Sequence, residues 1–193
     1  MSADVIELET KRLTLRQWRD GDLPRFAAMS ADPMVMAHFP STLTREQSDA
    51  FANAMRQRIA RDGWGFWAVE LRRTGAFCGF VGLNRPQYRL PFSPCTELGW
   101  RLAQRCWGRG IAVEAALAAI AFAFEQLALR EVVAFTAVGN RNSLRVMEKL
   151  GMDPEPEPFR HPRLAPGHRL SWHRLYRLRR DDYLTSTSMK ANS

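Results

Sequence analysis

Residues 104–112 read QRCWGRGIA, and the apolar run AALAAIAFAF follows at 115–124. Two glycines one residue apart, flanked by arginines and set directly before a helix-forming run, constrain the chain more than any other stretch of it. Without Cβ atoms, Gly108 and Gly110 allow a tight turn and bring backbone N–H groups close to another group. A helix starting there adds unpaired N–H donors and the positive end of its dipole. With Arg105 and Arg109 nearby, this is a cradle suited to phosphate. The same residues also suit a plain strand-to-helix turn, and a bare G-x-G does not choose between the two. The dinucleotide fingerprint would need a third glycine and a P-loop would need G-K-[ST], so neither applies.

The flanking residues give this segment its setting. RLTLRQW (12–18) alternates and predicts a strand. DGDLPRFAAMS (20–30), with Asp20 or Asp22 as cap, predicts a short helix, and DPMVMAHFP (32–40) a loop or short helix. At 44–63, Thr44 is followed three positions later by Gln47 and the segment stops at Gly63, the pattern of a capping-box helix. FWAVELR (66–72) and AFCGFVGLN (76–84) are strands around RTG, a hairpin signal. PQYRLPFSPC is a proline-rich loop. TELGWRLA (96–103) is a strand whose central glycine signals a bulge or a close backbone approach. A long apolar helix then runs to about Leu127. REVVAFTAV (130–138) is a strand, and NSLRVMEKLG (142–151) a helix capped by Asn140 or Asn142 and stopped by Gly151. DPEPEPFRHPRLAPG is a loop. HRLSWHRLYRLRR (168–180) predicts a last strand in which Leu170, Trp172, Tyr176 and Leu178 alternate, and 184–193 a disordered polar tail. Early hairpins and a later strand–helix–strand unit make an α+β fold around a mixed, mostly antiparallel sheet, in one domain over 1–183.

Composition narrows the function classes. The longest apolar run falls far short of the roughly 20 residues a membrane span needs, and MSADVIELETKRL carries charges where a signal peptide needs an apolar run. The expectation is a soluble, cytoplasmic protein with no membrane partner. Cys78, Cys95 and Cys106 are an odd set without zinc spacing and fit small core residues. Lysine and arginine total 28 against 20 acidic residues, a net charge of +8. Such a surface attracts anions: nucleic acid, acidic protein or a phosphorylated ligand. No recognition motif of a nucleic-acid module supports the first.

Taken jointly, ELGWRLAQRCWGRGIAVEA and, some thirty residues on, NRNSLRVMEKLGM resemble the GCN5-related N-acetyltransferase (GNAT) superfamily. The combination of E-L-G-W, W-G-x-G-I-A and N-x-x-S-x-x-V-x-E-K-L-G is most similar to its ribosomal-protein N-terminal acetyltransferase (RimJ/RimL-like) branch, and GFWAVE and CGFVGL look like that branch's second and third strands. The resemblance implies a central sheet of six to seven strands flanked by about four helices, with a splayed strand pair for acetyl-CoA. Arg105-x-x-Gly108-x-Gly110 matches the pyrophosphate loop. Backbone N–H groups from Cys106 through Trp107 and Arg109 to Ile111, at the helix start with Ala112, are implied to hold the pyrophosphate. Free backbone groups at Trp100, Arg101 and Leu102 are implied to bond the pantetheine arm as an added strand. Asn140 would hydrogen-bond the pantetheine and Ser143 would sit near the sulfur; both also suit simple helix capping.

The implied activity is direct transfer of an acetyl group from acetyl-CoA to a primary amine in a ternary complex, with no metal. The acceptor is a protein N-terminal α-amine or a small-molecule amine, and the enzyme a monomer or homodimer. A peptide α-amine, with a pKa near 8, loses its proton far more readily than a lysine near 10.4, so a modest base suffices. Glu97, on the strand beside the reacting carbon, is the candidate base and acceptor contact, or a structural partner for an arginine. Ser143 is the candidate acid. Many relatives place a tyrosine near this helix and NSLRVMEKLGM has none, so positioning carries more of the work. His38 and Phe39, in the segment resembling the acceptor side, are candidate substrate contacts, as is His173. The spacing of His161, His168 and His173 does not suit a metal. Two other readings stay open: a non-catalytic acyl-CoA-binding regulatory module, and a basic nucleic-acid-binding domain.

Overall fold

The hairpin at 66–84 forms as expected in the computed structural model of the chain, which describes residues 4–191. The chain packs as two compact units. One comprises the residues up to Asn84 with Gly99–Ala119, and the other Arg85–Leu98 with the residues from Ile120 on.

In the first unit, β1 (Leu8–Glu9) and β2 (Leu13–Arg16) lead into β3 (Phe66–Leu71) and β4 (Ala76–Asn84), all antiparallel neighbours. Two helices supply the apolar layer on this sheet. Helix α1 (Leu23–Ser30) brings the Phe26 ring edge-on to Trp18 at 5.0 Å. Helix α2 (Arg45–Asp62) stacks Phe51 on Phe26 at 5.6 Å. The capping box closes in both directions: Thr44 Oγ1 accepts from Gln47 N–H at 3.2 Å, and Gln47 Oε1 accepts from Thr44 N–H at 3.0 Å. Trp18 is buried, and its indole N–H donates to Phe66 O at 2.8 Å.

Strand β5 (Glu97–Leu102) ends in this unit. Its approach to β4 is too close for any side chain at position 79: a Cβ on Gly79 would stand 2.2 Å from Arg101 O. Helix α3 (Ile111–Ala121) follows and runs on into a wide turn of π type at Phe122–Gln126.

The second unit is built on β6 (Glu131–Ala137) and β9 (Trp172–Arg179), antiparallel from Glu131↔Arg179 to Ala137↔His173. β5 joins β6 in parallel, with Glu97 opposite Val133. Helix α4 (Arg141–Lys149) follows β6. β7 (Asp153–Pro154) and β8 (Phe159–Arg160) both pair with β9.

Among the described residues the sheet is largely antiparallel and mixed, as the sequence predicts, but has nine strands rather than six or seven. The excess is three two-residue strands, β1, β7 and β8. Two of these lie in the proline-rich stretch predicted to be loop, where β9 offers backbone partners that no sequence pattern announces. β9 is shorter than predicted, and the alternation misplaces one ring: Trp172 is 43% exposed while Leu175, Tyr176 and Leu178 are all buried. The tail predicted to be disordered continues instead as helix α5 (Arg180–Ala191), while Asn192 and Ser193 lie outside the described residues. Its polar residues find local partners, Thr185 and Ser188 donating to Asp181 O and Leu184 O, and Tyr183 packs on Phe124 at 5.2 Å. Among the described residues no helix is long and apolar enough to cross a membrane.

One buried ion cluster braces the first unit. Arg16 donates to both oxygens of Asp22, at 2.7 and 2.9 Å, and to Glu70 at 2.8 Å. The Arg16 and Asp22 side chains are each 3% exposed. Removing one partner of such a pair strands a charge away from water, which costs about 3–5 kcal/mol. Arg16→Leu should therefore lower the unfolding free energy by that amount in urea denaturation. The double variant Arg16→Leu/Asp22→Leu should recover most of the loss, and a double variant as unstable as the single one would refute this account.

Candidate functional site

The glycine loop adopts the geometry its sequence requires. Gly108 and Gly110 have φ of 68° and 74°, left-handed conformations that favour glycine. The first bond into α3 runs from Glu114 N–H to Gly110 O at 3.0 Å, so the N–H groups of Ile111, Ala112 and Val113 precede the helical ladder. Not every expected donor is available. The N–H of Cys106 donates to Ala103 O at 2.8 Å and that of Trp107 to Gln104 O at 3.0 Å, inside a 3-10 turn. These two are spent within the turn. Arg105 anchors the loop, its Nη2 donating to Phe77 O at 2.5 Å. Gly108 and Arg109 are exposed.

A clamp that the sequence did not reveal fixes this loop from the N-terminal side. Glu114, in the first turn of α3, accepts from Thr10 Oγ1 at 2.6 Å, from Arg12 N–H at 2.9 Å and from Arg12 Nε at 2.5 Å. Arg12 in turn donates to Arg109 O at 3.0 Å. Burial alone would raise the Glu114 carboxyl, but the bonds from Thr10 and Arg12 hold it below the usual range. The partners lie more than a hundred positions apart in sequence, and no local motif joins them.

Cys78 and Cys106 are buried, as predicted, but they also face one another. Their mutual hydrogen bond and then burial push Cys78 up. The same bond draws Cys106 down to about 7, against burial and with help from Arg105 and Arg109. Of the strand residues expected to offer backbone groups, Leu102 has its carbonyl taken by Trp107 Nε1 at 2.8 Å, and Trp100 is half-buried. Arg101 is buried, and its guanidinium carbon stands 4.2 Å from the centroid of Phe39. Phe39 and His38 are half-buried in the turn segment between α1 and α2.

In the second unit Asn140 and Ser143 meet directly. Asn140 Oδ1 accepts from Ser143 N–H at 3.2 Å, which caps α4. Asn140 Nδ2 donates to Thr136 Oγ1 at 2.8 Å and to Ser143 Oγ at 3.0 Å. Asn140 is thus the cap, and Ser143 Oγ, as an acceptor here, keeps its own proton to donate. Glu97 is half-buried at the start of β5, in register with Val133. Its charge, after burial, pushes Tyr88 up to about 12.

The histidines split. His168 Nδ1 accepts from Leu170 N–H at 3.1 Å in a turn. The His161 and His173 rings pack 4.8 Å apart, near Phe135 and Phe159. His161 Nδ1 accepts from Arg163 N–H at 3.3 Å, so the neutral ring carries its proton on Nε2 and donates it to Tyr88 Oη, 3.1 Å away. Burial and then His161 lower His173 to about 4, and its Nδ1 is buried without a partner among the described residues. No group of three or more His, Cys, Asp and Glu among the described residues could hold a metal.

Residues 12–153 match the family model described as an acetyltransferase (GNAT) domain. The chain is 32% identical over 147 residues to the uncharacterized protein YkkB of Bacillus subtilis, covering 76% of this chain and 84% of that protein. A solved acetyltransferase of the GNAT family from Bacillus anthracis is similar with a TM-score of 0.75 and 24% identity, over 91% of this chain and 99% of its own. A spermidine N-acetyltransferase from Vibrio cholerae, solved with CoA and spermine, is similar with a TM-score of 0.71 and 19% identity, over 91% of this chain and 99% of its own.

The buried His173 gives the fold a defined acid response. Its folded-state pKa lies below the unfolded value of 6.5, so the unfolded chain takes up the proton first. Its contribution is complete above pH 6.5 and declines as pH falls toward about 4. Unfolding midpoints in urea should fall across that window, and His173→Leu should flatten the fall. A variant as acid-sensitive as the wild type would move the effect to other groups.

Proposed function

The chain belongs to the GNAT acetyltransferase family, and on that premise we propose that it transfers the acetyl group of acetyl-CoA directly to a primary amine in a ternary complex. The acceptor is a protein N-terminal α-amine or a small-molecule amine, as in the RimJ/RimL-like branch. The observation that carries this reading is the loop at 105–110, with its left-handed glycines before α3. The exposed glycines and the helix-start N–H groups suit the pyrophosphate, and the Arg109 side chain adds positive charge there.

The chain's own residues divide the remaining work. Trp100 and Arg101 supply backbone groups for the pantetheine arm, and Asn140 orients Ser143 through the Nδ2–Oγ bond. Ser143 donates its free proton toward the leaving sulfur. Glu97 accepts the ammonium proton of the acceptor, directly or through water. A hydroxyl is a weak acid, so its value lies in a positioned hydrogen bond more than in full proton transfer.

Acetyl-CoA at about 100 times its dissociation constant should stabilise the fold by about 2.7 kcal/mol. Adenine nucleotide lacking pantetheine should do so much less. Stabilisation without thiol release from any amine would replace the enzyme reading with that of a non-catalytic acyl-CoA-binding module, and no stabilisation at millimolar acetyl-CoA would refute both.

Ser143→Ala should lower kcat about a hundredfold, the low end for a positioned proton donor. It keeps the backbone N–H that Asn140 caps, so melting should barely move. Asn140→Ala should cost about 1 kcal/mol of stability as well as rate. Full kcat in Ser143→Ala would leave protonation of the thiolate to water.

A further inference from the structure

The Arg101 side chain ends among four phenylalanine rings of the first unit. Its guanidinium carbon stands 4.2 Å from the centroid of Phe39, 5.3 Å from Phe51, 5.5 Å from Phe80 and 5.8 Å from Phe26. The residue is 8% exposed, and Nε and Nη1 are buried with no hydrogen-bond partner among the described residues. Desolvation draws the group down to about 10, with no carboxylate acting against it, so it remains cationic at neutral pH. Ring faces attract a cation, but they leave these N–H donors without oxygen acceptors. Arg16 of the same unit, also buried, has two carboxylates.

Further orphaned groups accompany it. Ser30 lies one turn after Phe26 on α1, and Ser48 one turn before Phe51 on α2. Both hydroxyls are buried and unpaired among the described residues. Residues one turn apart share a helix face, so the faces that carry two of the rings also carry unused hydroxyls.

We propose that Arg101 is an anion anchor on the acceptor side, binding the carboxylate of an amino-acid-like acceptor and selecting it over amines without one. Identifying the ligand as an acceptor rests on the acetyltransferase reading; the binding of a carboxylate does not. A carboxylate docks on either edge of the guanidinium fork, Nε with Nη2 or Nη1 with Nη2, and each edge includes one of the orphaned donors. The Ser30 and Ser48 hydroxyls add neutral donors on the same helix faces. Phe39 is the one ring of the four that comes from an irregular segment rather than a helix or strand, so a ligand reaches the guanidinium by moving that ring.

The test combines binding and turnover. Melting is followed with sodium benzoate, with benzamide and with sodium chloride at matched ionic strength. Thiol release from acetyl-CoA is then measured with amino acids set against their decarboxylated amines. Benzoate should raise the melting temperature where benzamide and chloride do not. The amino acids should be preferred in kcat/KM by roughly tenfold to a hundredfold, the value of charge-assisted hydrogen bonds. Arg101→Met should melt no lower than the wild type without ligand, because it removes an uncompensated buried charge, and should lose both the benzoate shift and the preference. Arg101→Lys, which keeps the charge without the planar fork, should lose most of the preference. An equal shift from chloride, a benzoate shift that survives in Arg101→Met, or thiol release with no preference for the acid would each overturn the anchor. Benzoate protection without thiol release from any amine would overturn the acetyltransferase reading and leave the anchor in place.

Discussion

Three consecutive residues of β4 hold the end of β5 and the loop beyond it. Phe77 O accepts from the Arg105 guanidinium, Cys78 O accepts from Ala103 N–H at 2.9 Å, and Gly79 gives the Arg101 carbonyl the room a side chain would take. This short run of backbone sets where β5 stops, where the 3-10 turn begins and where Gly108 and Gly110 fall. The glycine loop of the first unit therefore depends on a hairpin strand some thirty residues earlier. A methyl group at position 79 would push the strands apart and move the loop with them.

Much of this architecture was legible because it rests on local patterns. Thr44 and Gln47 announced α2, RTG announced the β3–β4 hairpin, and the alternation at 12–18 announced β2. The joint pattern around Gly108, Gly110, Asn140 and Ser143 announced the family. What was not legible is what depends on long-range partners. The clamp of Thr10 and Arg12 on Glu114 joins two stretches with no shared motif. β7 and β8 exist because β9 lies beside them. Helix α5 forms although its sequence is polar, because Tyr183 packs on Phe124 and donates to Glu125 Oε1 at 2.8 Å. In the loop, spacing indicated where the glycine turn falls but not which N–H groups the 3-10 turn consumes.

The two buried arginines of the first unit show how differently one charge can be accommodated. Arg16 is satisfied within the fold, with carboxylates from Asp22 and Glu70, and braces it. Arg101 has aromatic faces and no acid. The first arrangement is complete as it stands, and the second gains most from a partner brought from outside. Composition alone, with its arginine excess, distinguishes neither from a surface charge.

The wide turn at Phe122–Gln126 has a consequence for the phase of the helix it ends. Successive residues of an α-helix step by about 100° around the axis, so a single apolar stripe cannot take in three neighbours in a row. Here Phe122, Ala123 and Phe124 are all buried, with exposures of 2, 0 and 0%. A π turn winds by a smaller angle per residue and takes up one extra residue, so neighbouring side chains spread over a narrower arc and all three turn inward. Deleting one residue from this stretch would restore the regular α period, in which three neighbours span about 200° and cannot all face inward. The wide turn therefore lets three consecutive side chains at the end of this helix all be buried, and its length is as constrained as its composition.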